Sequence, residues 1–168
     1  MRDALDRYYT PDEVAGKLVR ELPISGRVLE PHVGGGAFLR AMPSGVEVTA
    51  GDIDPLAPGL TNASRCYVGD FEAHRGSYDW VIGNPPYRHA EAHVRHALTL
   101  APDVAFLLRL AFLESRRRRP FWDEHPPYHV WILSRRPSFT GGATDNSAYA
   151  WFWWSTRAPG SLPTMSWL

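Results

Sequence analysis

The residues with the clearest potential for chemistry are Asn84-Pro85-Pro86-Tyr87, which follow the apolar run 80–83. The run is typical of a buried strand, and the two prolines end it and fix the backbone that follows. Asn84 and Tyr87 are then expected at the carboxyl edge of a sheet. The Asn84 oxygen and the Pro85 carbonyl would accept the two N–H bonds of an exocyclic amine, and Tyr87 would stack on a flat ring. An ordinary strand-ending turn is the alternative interpretation.

A glycine-rich turn, Gly34-Gly35-Gly36, lies upstream and follows a predicted strand that ends near Glu30. Glycines let a backbone pass close to a ligand. A carboxylate before them suits a cationic amino group and repels a pyrophosphate, which argues against a dinucleotide. The absence of a Gly-Lys-Ser/Thr sequence argues against a nucleoside triphosphate. Glu30 could instead be a carboxylate that favours a helix N-terminus.

Two further acidic positions follow later predicted strands. Asp52, 22 residues after Glu30, can accept both hydroxyl groups of a ribose, as acidic residues do in dinucleotide folds. Asp54 competes for this role, or it forms a turn with Pro55. Asp70 lies where it would accept the amino group of an adenine, or it belongs to an ordinary turn.

Strands and helices alternate along the chain, which predicts an α/β, Rossmann-like fold with helices on both faces. We expect a mainly parallel, seven-stranded sheet with an antiparallel C-terminal strand, and a locally packed tail over 158–168. Predicted strands lie at 26–29, 46–50, 66–68, 80–82, 104–108, 128–133 and 148–154, and predicted helices at 11–21, 37–42, 90–100 and 111–118. Thr10 should cap the first helix, with Pro11 at its first position and Glu13 completing a capping box. Such sheets bind ligands at the carboxyl ends of their strands, where these polar residues fall.

In this order, the strand, glycine turn, acidic residue and Asn-Pro-Pro-Tyr resemble class I S-adenosylmethionine-dependent N6-adenine DNA methyltransferases. Tyr8-Tyr9-Thr10-Pro11 resembles their extra N-terminal motif, and the motif order resembles their gamma group. The resemblance, over residues 8–87, implies methyl transfer to adenine N6 in DNA after base flipping, with S-adenosylhomocysteine as product. The implied catalytic residues are Asn84, Pro85, Pro86 and Tyr87. The implied cofactor-binding residues are Tyr8, Thr10, Pro11, Glu30, Pro31, His32, Gly34, Gly36, Asp52, Ile53, Asp70, Phe71 and Asn84.

The resemblance is incomplete in one respect. Gamma-group enzymes normally carry a separate C-terminal target-recognition domain, whereas residues 1–168 are expected to form a single methyltransferase domain, as in compact phage or prophage enzymes. Recognition would then come from loops, a homodimer or a specificity partner, or it would be weak. The candidate loops are 88–93 and 137–147, of which the second has a flexible hairpin connection as its alternative.

Two other functions stay open. Enzymes that methylate an amino group in RNA, or a glutamine in a release factor, resemble this chain in using Asn-Pro-Pro-Tyr. In each case a planar nitrogen must be held so that its lone pair can attack the methyl group. Thr10-Pro11 favours DNA. A non-catalytic subunit that keeps only the cofactor-binding fold is less favoured, because Asn84-Pro85-Pro86-Tyr87 (the tetrad) and Glu30 are both present.

The composition excludes several classes of protein. The net charge is zero at pH 7, so there is no overall basic footprint for nucleic acid. All but one of the 18 basic residues are arginine, with runs at 116–119 and 135–136 that suit phosphates or form a solvated helix end. The single cysteine, Cys66, excludes disulfide stapling and multi-cysteine zinc sites. No apolar run approaches the roughly 18 residues of a membrane span, so we expect a cytoplasmic enzyme without a metal.

Two groups of aromatic side chains have regular spacing. His89, His93 and His96 share one face of a predicted helix, which we expect to face solvent or nucleic acid. Trp151 and Trp153 share one face of a strand and are expected to pack in the core or against a helix.

Overall fold

Eight strands and four helices alternate through residues 9–139, 147–157 and 162–168, which the computed structural model describes. The strands are β1 (Arg27–Glu30), β2 (Glu47–Asp52), β3 (Arg65–Val68), β4 (Trp80–Gly83), β5 (Asp103–Arg109), β6 (His129–Ile132), β7 (Tyr149–Ser155) and β8 (Thr164–Trp167). The helices are α1 (Asp12–Arg20), α2 (Ala37–Ala41), α3 (Ala90–Leu100) and α4 (Arg119–Glu124). None of the helices in these ranges has the length and apolar character needed to cross a membrane.

The strands form one sheet in the order β3-β2-β1-β4-β5-β7-β6-β8. Neighbouring strands are parallel except at β7, which runs antiparallel to both β5 and β6. The predicted α/β architecture with a reversed late strand is therefore confirmed. The first three strands lie on one side of the β1–β4 junction and all later strands on the other. A reversal of strand order of this kind opens a crevice at the carboxyl edge, where α/β proteins bind ligands.

Helices cover both faces of the sheet. One face includes Ile82 and packs against α1 and α2, and the other includes Val81 and packs against α3 and α4. Adjacent residues alternate between the faces because the side-chain period of a strand is two. Trp151, which is fully buried, and Trp153 lie on the first face, whereas Phe152 lies on the second. The shared face predicted for the two tryptophans is confirmed.

The sheet has eight strands and not the predicted seven. The eighth, β8, lies where a locally packed tail was expected, and it pairs in parallel with β6. Its side chains are largely exposed, so the sequence lacks the apolar alternation of a half-buried strand. Backbone pairing holds the strand in place, together with a contact of 2.9 Å between His129 Nε2 and Ser166 Oγ.

The predicted helix over 111–118 is wrong. The chain forms two short 3₁₀ turns there, Leu110–Leu113 and Arg116–Arg118, and α4 begins only after them. Between the turns, Ser115 has a φ of 117°, which a right-handed helix does not accommodate. Arg118 Nη1 donates at 3.1–3.5 Å to three backbone carbonyl oxygens, those of Ala111, Phe112 and Glu114. A side chain thus satisfies acceptors that helical N–H groups would otherwise bind.

The capping box predicted for α1 does not form. Pro11 precedes the first helical residue in an extended conformation, with φ −62° and ψ 143°, and no side chain caps the helix. Glu13 is exposed. The Thr10 hydroxyl instead accepts a hydrogen bond from Asn84 Nδ2 at 3.2 Å. The segment before α1 is therefore tied to the residue that follows β4.

Candidate active site

Glu30 is the last residue of β1, near the centre of the sheet. Its carboxyl group is buried, and 1% of the residue is exposed. Burial raises the pKa of this carboxyl well above its ordinary value, although the Leu39 N–H and the Arg40 guanidinium act in the opposite direction. Oε2 has no hydrogen-bond partner among the residues that the structure describes. Such an acceptor carries a desolvation penalty that a cationic ligand would offset. Because Leu39 lies in the first turn of α2, the alternative role at a helix N-terminus also holds.

The glycine turn brings the backbone close to the crevice. Gly34 and Gly36 have φ values of 46° and 80°, which favour glycine. A Cβ on Gly36 would lie 3.1 Å from Gly59 Cα, and a Cβ on Gly34 would lie 3.0 Å from the ring of Tyr9. Tyr9 therefore covers the turn; it belongs to the predicted N-terminal motif, but not to the predicted cofactor-binding residues. The predicted Tyr8 lies outside the described residues.

Asp52, at the end of β2, organises two backbone segments. Its Oδ2 accepts from the Gly34 N–H and its Oδ1 from the Asp54 N–H, both at 2.9 Å. Asp54 accepts from the Leu56 N–H at 2.9 Å, in the turn that was its alternative role. Asp52 is thus the acid that reaches the glycine turn, and a carboxylate has further acceptor sites beyond these two bonds. Ile53, beside it, is 59% exposed.

Asp70 and Phe71 follow β3. Asp70 Oδ1 accepts from the Glu72 N–H at 3.0 Å and caps a short 3₁₀ turn, so the interpretation as an ordinary turn also holds. Phe71 is 3% exposed, and its ring meets those of His32 and His93 edge-on at 5.2 and 5.4 Å between centroids. Phe71 forms a buried wall of the crevice.

The expectation that the α3 histidines face solvent or nucleic acid is wrong for His93. His93 is 6% exposed and stacks on His32 at 4.8 Å between ring centroids, while His96 Nε2 lies 3.1 Å from the His74 carbonyl oxygen. His89 is exposed. Burial lowers the pKa of His93 to about 4, and burial together with His93 lowers the pKa of His32 well below its ordinary value. Among the described residues there is no group of three or more His, Cys, Asp or Glu side chains that could hold a metal ion.

The residues after β4 stand at the crevice. Asn84 Nδ2 donates to Thr10 Oγ1, which fixes the orientation of the amide. Pro85 is buried, and Pro86 and Tyr87 are half-buried. The two prolines carry the backbone from the sheet edge into a 3₁₀ turn, Tyr87–His89. The amide and the phenol are thus presented at the edge that the sequence predicted.

The ring of Tyr87 contacts two side chains from neighbouring strands. Tyr149, on β7, lies 5.7 Å away between centroids, and the Arg109 guanidinium, at the end of β5, lies 4.9 Å from the centroid of Tyr87. Burial raises the pKa of the Tyr87 phenol well above its ordinary value, so the hydroxyl is neutral near pH 7.

Two cavities meet at Asn84-Pro85-Pro86-Tyr87. The first has a volume of about 770 Å³, including its open mouth, and is lined by Tyr9, Pro31, His32, Gly34, Asp52, Ile53, Asp54, Ala57, Gly69, Asp70, Phe71, Asn84, Pro86 and His93. Glu30 and Thr10 line a small cavity that shares Asn84 with it. The second has a volume of about 1000 Å³ and is lined by Tyr87, Arg88, Ala90, Leu108, Arg109, Ala111, Phe112, Glu114, Ser115 and Arg118. Asn84 and Pro86 thus line the first cavity, and Tyr87 lines the second.

Three predicted elements of the site lie elsewhere or outside the described chain. Pro11 lines a separate groove with Lys17 and Arg135. The segment 88–93 is a 3₁₀ turn and the start of α3, and not a loop. Within 137–147, residues 140–146 lie outside the described residues, so the role of that loop stays a prediction.

Comparison with known proteins adds evidence on the family. No protein-family model matches the chain. Over 92 residues the chain is 36% identical to a type II methyltransferase of Thermus thermophilus. This match covers 50% of the chain and 22% of the relative, so the chain spans well under half of that protein's length.

Solved structures share the fold more completely. PH1948 from Pyrococcus horikoshii, a candidate RNA methyltransferase, superposes with a TM-score of 0.72 at 19% identity, covering 90% of this chain and 88% of that one. A chain of a type I restriction–modification system gives a TM-score of 0.70 at 17% identity, covering 97% and 45%. The topology, with its crevice at the β1–β4 junction, agrees with these similarities. The chain therefore has the fold of the class I S-adenosylmethionine-dependent methyltransferases.

Proposed function

We propose that this chain transfers the methyl group of S-adenosylmethionine to the N6 amino group of adenine in DNA, after the base has rotated out of the duplex. The observation that carries the proposal is that Asn84 and Pro86 line one cavity, suited to the methyl donor, while Tyr87 of the same short segment lines a second, suited to the acceptor. The partial identity to a type II methyltransferase and the fold shared with a type I restriction–modification chain support DNA as the substrate.

The first cavity fits S-adenosylmethionine. The buried Glu30 carboxyl, with one oxygen unpartnered among the described residues, would bind the ammonium group. Asp52 has acceptor sites left for the ribose hydroxyls, and the exposed side chain of Ile53 would lie against the adenine ring. Asp70 would accept from the adenine amino group. The remaining contacts would come from Tyr9, Thr10, Pro31, His32, Gly34 and Phe71.

The tetrad would activate the amine by holding its nitrogen in the geometry needed for attack on the methyl group. When bound, S-adenosylmethionine supplies an electrophilic methyl group on a sulfonium. Asn84 Oδ1 and the Pro85 carbonyl oxygen accept the two N–H bonds, which holds the nitrogen toward tetrahedral geometry and localises its lone pair. The lone pair forms the new N–C bond while the C–S bond breaks and its electrons go to sulfur. The alkylated nitrogen is acidic and loses a proton to water, so no strong base is required.

Tyr87 would hold the target base in the second cavity. Stacking of a base on an aromatic side chain contributes roughly 1–3 kcal/mol. Because the Tyr87 phenol is neutral near pH 7, the ring does not repel nearby phosphates.

Amino-group methylation in RNA is the second candidate function. The similarity to PH1948, which covers most of both chains, favours it. The demand on the nitrogen is the same, and the second cavity would take a nucleotide of either nucleic acid.

Sequence recognition is expected to involve a specificity partner or a second copy of the chain. The type I restriction–modification chain that shares the fold is more than twice as long as the region matched, and the Thermus thermophilus methyltransferase is longer still. Substrate recognition would then depend on segments outside the sheet, and within this chain the candidate segment is 137–147.

The test is methyl transfer from labelled S-adenosylmethionine to unmethylated duplex DNA, single-stranded DNA, RNA and a release factor, with the product identified by mass spectrometry. N6-methyladenine in DNA is the expected product. Label in RNA or protein alone would overturn the choice of substrate. If no substrate is labelled although the cofactor binds, a missing partner becomes the leading explanation, and the assay is repeated in cell extract.

Asn84→Ala tests the role of the tetrad in the same assay. Loss of the amide should lower kcat by about 100-fold or more, because positioning of the reacting nitrogen is lost. Cofactor affinity, measured by calorimetry, should change far less. Asn62→Ala, at an exposed position that lines neither cavity, is the matched control and should keep full activity. An Asn84→Ala protein with wild-type turnover would exclude the proposed mechanism.

A further inference from the structure

A further cavity lies between α1 and the segment that follows β6, and it shares no lining residue with the cavities described above. It has a volume of about 810 Å³, including its open mouth, and is lined by Pro11, Glu13, Val14, Lys17, Leu133, Arg135, Arg136, Pro137, Ser138 and Leu168. Three of these side chains are cationic and one is anionic, in a chain whose net charge is zero. Positive charge is therefore concentrated in this cavity, which we call the basic groove.

The three cations of the basic groove are not used by the fold. Lys17, Arg135 and Arg136 are exposed. None of them forms a hydrogen bond or an ion pair with the residues that the structure describes, and Lys17 does not pair with Glu13, four positions earlier on α1. Arg118, in contrast, donates to three backbone carbonyl oxygens. The charges of the basic groove are therefore available to a ligand.

The basic groove lies at the carboxyl edge of the sheet, which also carries Asn84. Pro11, in the lining of the groove, directly follows Thr10, whose hydroxyl accepts from Asn84 Nδ2 at 3.2 Å. Leu133 directly follows β6, which runs in the same direction as β4 and β5 because β7 is antiparallel to both of its neighbours. The groove is thus beside the site, on the face of the sheet that α1 covers.

A row of aromatic rings joins the basic groove to Tyr87. Ser138 lines the groove, and the ring of the next residue, Phe139, lies 5.1 Å from that of Tyr149 between centroids. The ring of Tyr149 lies 5.7 Å from that of Tyr87. Together these steps correspond to about three nucleotides of a stacked strand, which rises about 3.4 Å per nucleotide. A strand with its target base at Tyr87 would therefore have phosphates within reach of the groove.

The chemistry of the basic groove suits a sugar–phosphate backbone. A guanidinium offers a planar fork of donors to phosphate oxygens, and a lysine ammonium binds phosphate as a point charge. Contacts of this kind fix the register of a protein on a nucleic acid without reading its sequence. Because the chain is neutral overall, attraction for a nucleic acid must come from local groups such as these.

We propose that the basic groove binds the phosphodiester backbone of the substrate strand, about three nucleotides from the target base, through Lys17, Arg135 and Arg136. This rests on the proposed function and assigns the three as positioning residues, which hold the strand and take no part in methyl transfer. A nucleic-acid strand is favoured over an acidic protein as the occupant, because the row of rings leads from the groove to the residue proposed to stack on the base.

The salt dependence of oligonucleotide binding tests this proposal. Affinity for a single strand of about 15 nucleotides with one central adenine is measured by fluorescence anisotropy from about 50 to 200 mM salt, with S-adenosylhomocysteine present. In Lys17→Gln/Arg135→Gln/Arg136→Gln, the slope of log affinity against log salt should be less steep by about two, because each phosphate contact on a single strand contributes about 0.7. In methylation of the same strand, KM should rise and kcat should be retained.

The matched control removes the same charge from positions that line none of the cavities described. Arg20, Arg27 and Arg65 are exposed, at the end of α1 and at the starts of β1 and β3. Arg20→Gln/Arg27→Gln/Arg65→Gln should keep the wild-type slope. A strand cut to about three nucleotides around the adenine does not extend to the groove, so the groove variant and the wild type should then have equal slopes.

The outcomes separate this proposal from the proposed function. If the wild-type protein methylates the longer strand and the groove variant keeps the wild-type slope, the basic groove is excluded and the function stands. Equal loss of slope in the control variant would also exclude the groove, because total charge would then account for the effect. If the wild-type protein methylates no nucleic acid, the proposed function fails and this inference fails with it.

Affinity for S-adenosylhomocysteine, measured by calorimetry, checks that the variants are folded and should equal that of the wild type. If the triple variant does not fold, Arg135→Gln/Arg136→Gln takes its place, with an expected loss of slope of about 1.4.

Discussion

The two sides of Asn84-Pro85-Pro86-Tyr87 are built from different kinds of contact. On the first side, short carboxylates bind backbone N–H groups: Asp52 holds the glycine turn, and Asp70 caps the turn after β3. On the second side, long arginine side chains cover aromatic rings, as Arg109 covers Tyr87. The first side is fixed by its own hydrogen bonds, whereas the second depends on side chains with several rotatable bonds.

This difference fits what each side is proposed to bind. A small cofactor has one shape, so its site gains from groups that are already oriented. A nucleotide within a strand arrives with its neighbours, so its site must open. The comparison can be sharpened by changing each side separately and asking whether cofactor affinity and nucleic-acid affinity respond independently.

Glu30→Gln should have the largest effect of these changes, and on the first side only. Removing the negative charge should weaken binding of S-adenosylmethionine by about 10- to 100-fold, since a charge-assisted hydrogen bond is lost. Oligonucleotide affinity should be retained. Calorimetry with the cofactor and anisotropy with the oligonucleotide measure the two effects.

The same variant should be more stable than the wild type without cofactor. Because burial raises the pKa of Glu30, the folded protein binds more protons than the unfolded chain, and its stability falls as the pH rises through the folded pKa. Because glutamine does not ionise, Glu30→Gln does not lose stability in this way, and its melting temperature at pH 7 should be higher than that of the wild type. A lower melting temperature with unchanged cofactor affinity would contradict the assignment of Glu30 as the ligand of a cation.

Acid should destabilise the first side through the stacked histidines. Burial lowers the pKa of His93 to about 4, so the folded state binds fewer protons than the unfolded state. At a pH above the pKa of histidine in the unfolded chain, His93 is neutral in both states and this stability is fully present. It is lost as the pH falls toward the lower pKa of His93 in the folded protein. The loss should reach about 2 kcal/mol between pH 7 and pH 5.

His93→Phe keeps a ring against His32 and removes this titration. The variant should therefore lose less stability than the wild type between pH 7 and pH 5 in denaturant unfolding. The same substitution at exposed His89 is the control and should keep the wild-type dependence. Equal pH dependence in wild type and His93→Phe would mean that the stack is not a source of acid sensitivity.

Arg118→Ala should have the smallest effect, and on the second side only. It removes bonds to three carbonyl oxygens and a contact with the Phe112 ring, which should destabilise the protein by roughly 1–2 kcal/mol. Cofactor affinity should not change. Arg117→Ala, one position earlier and exposed, should shift stability by less than about 0.5 kcal/mol. Equal losses in both variants would argue against the three carbonyl bonds.

The same contrast separates what the sequence predicted from what it did not. The helix predicted over 90–100 has the bounds of α3, because a buried face with a clear period marks it. The strand β4 was predicted from a short apolar run, which it has because both of its faces are covered. In contrast, β8 is held by pairing without burial, and local patterns carry no signal for it.

The site was predictable to a similar extent. Acidic residues after strand ends fall at one sheet edge by topology alone, so the placement of Glu30, Asp52 and Asp70 beside the crevice could be predicted, while their roles stay predictions. The contacts of Tyr9 with the glycine turn and of Arg109 with Tyr87 were not predicted, because each joins residues that are distant in sequence. The turns before α4 were missed because the Arg118 side chain donates to the carbonyl oxygens of Ala111, Phe112 and Glu114, which local sequence patterns do not indicate.

The reversed direction of β7 has a consequence for how this fold can change. Because β7 runs back, β6 points the same way as β5, and the connection from β6 to β7 starts and ends at the edge that carries the tetrad. A longer segment inserted in that connection would lie at the edge that carries Asn84-Pro85-Pro86-Tyr87, without a new crossover helix. The fold therefore provides an insertion point at that edge, away from the strands β1, β2 and β3 that line the first cavity.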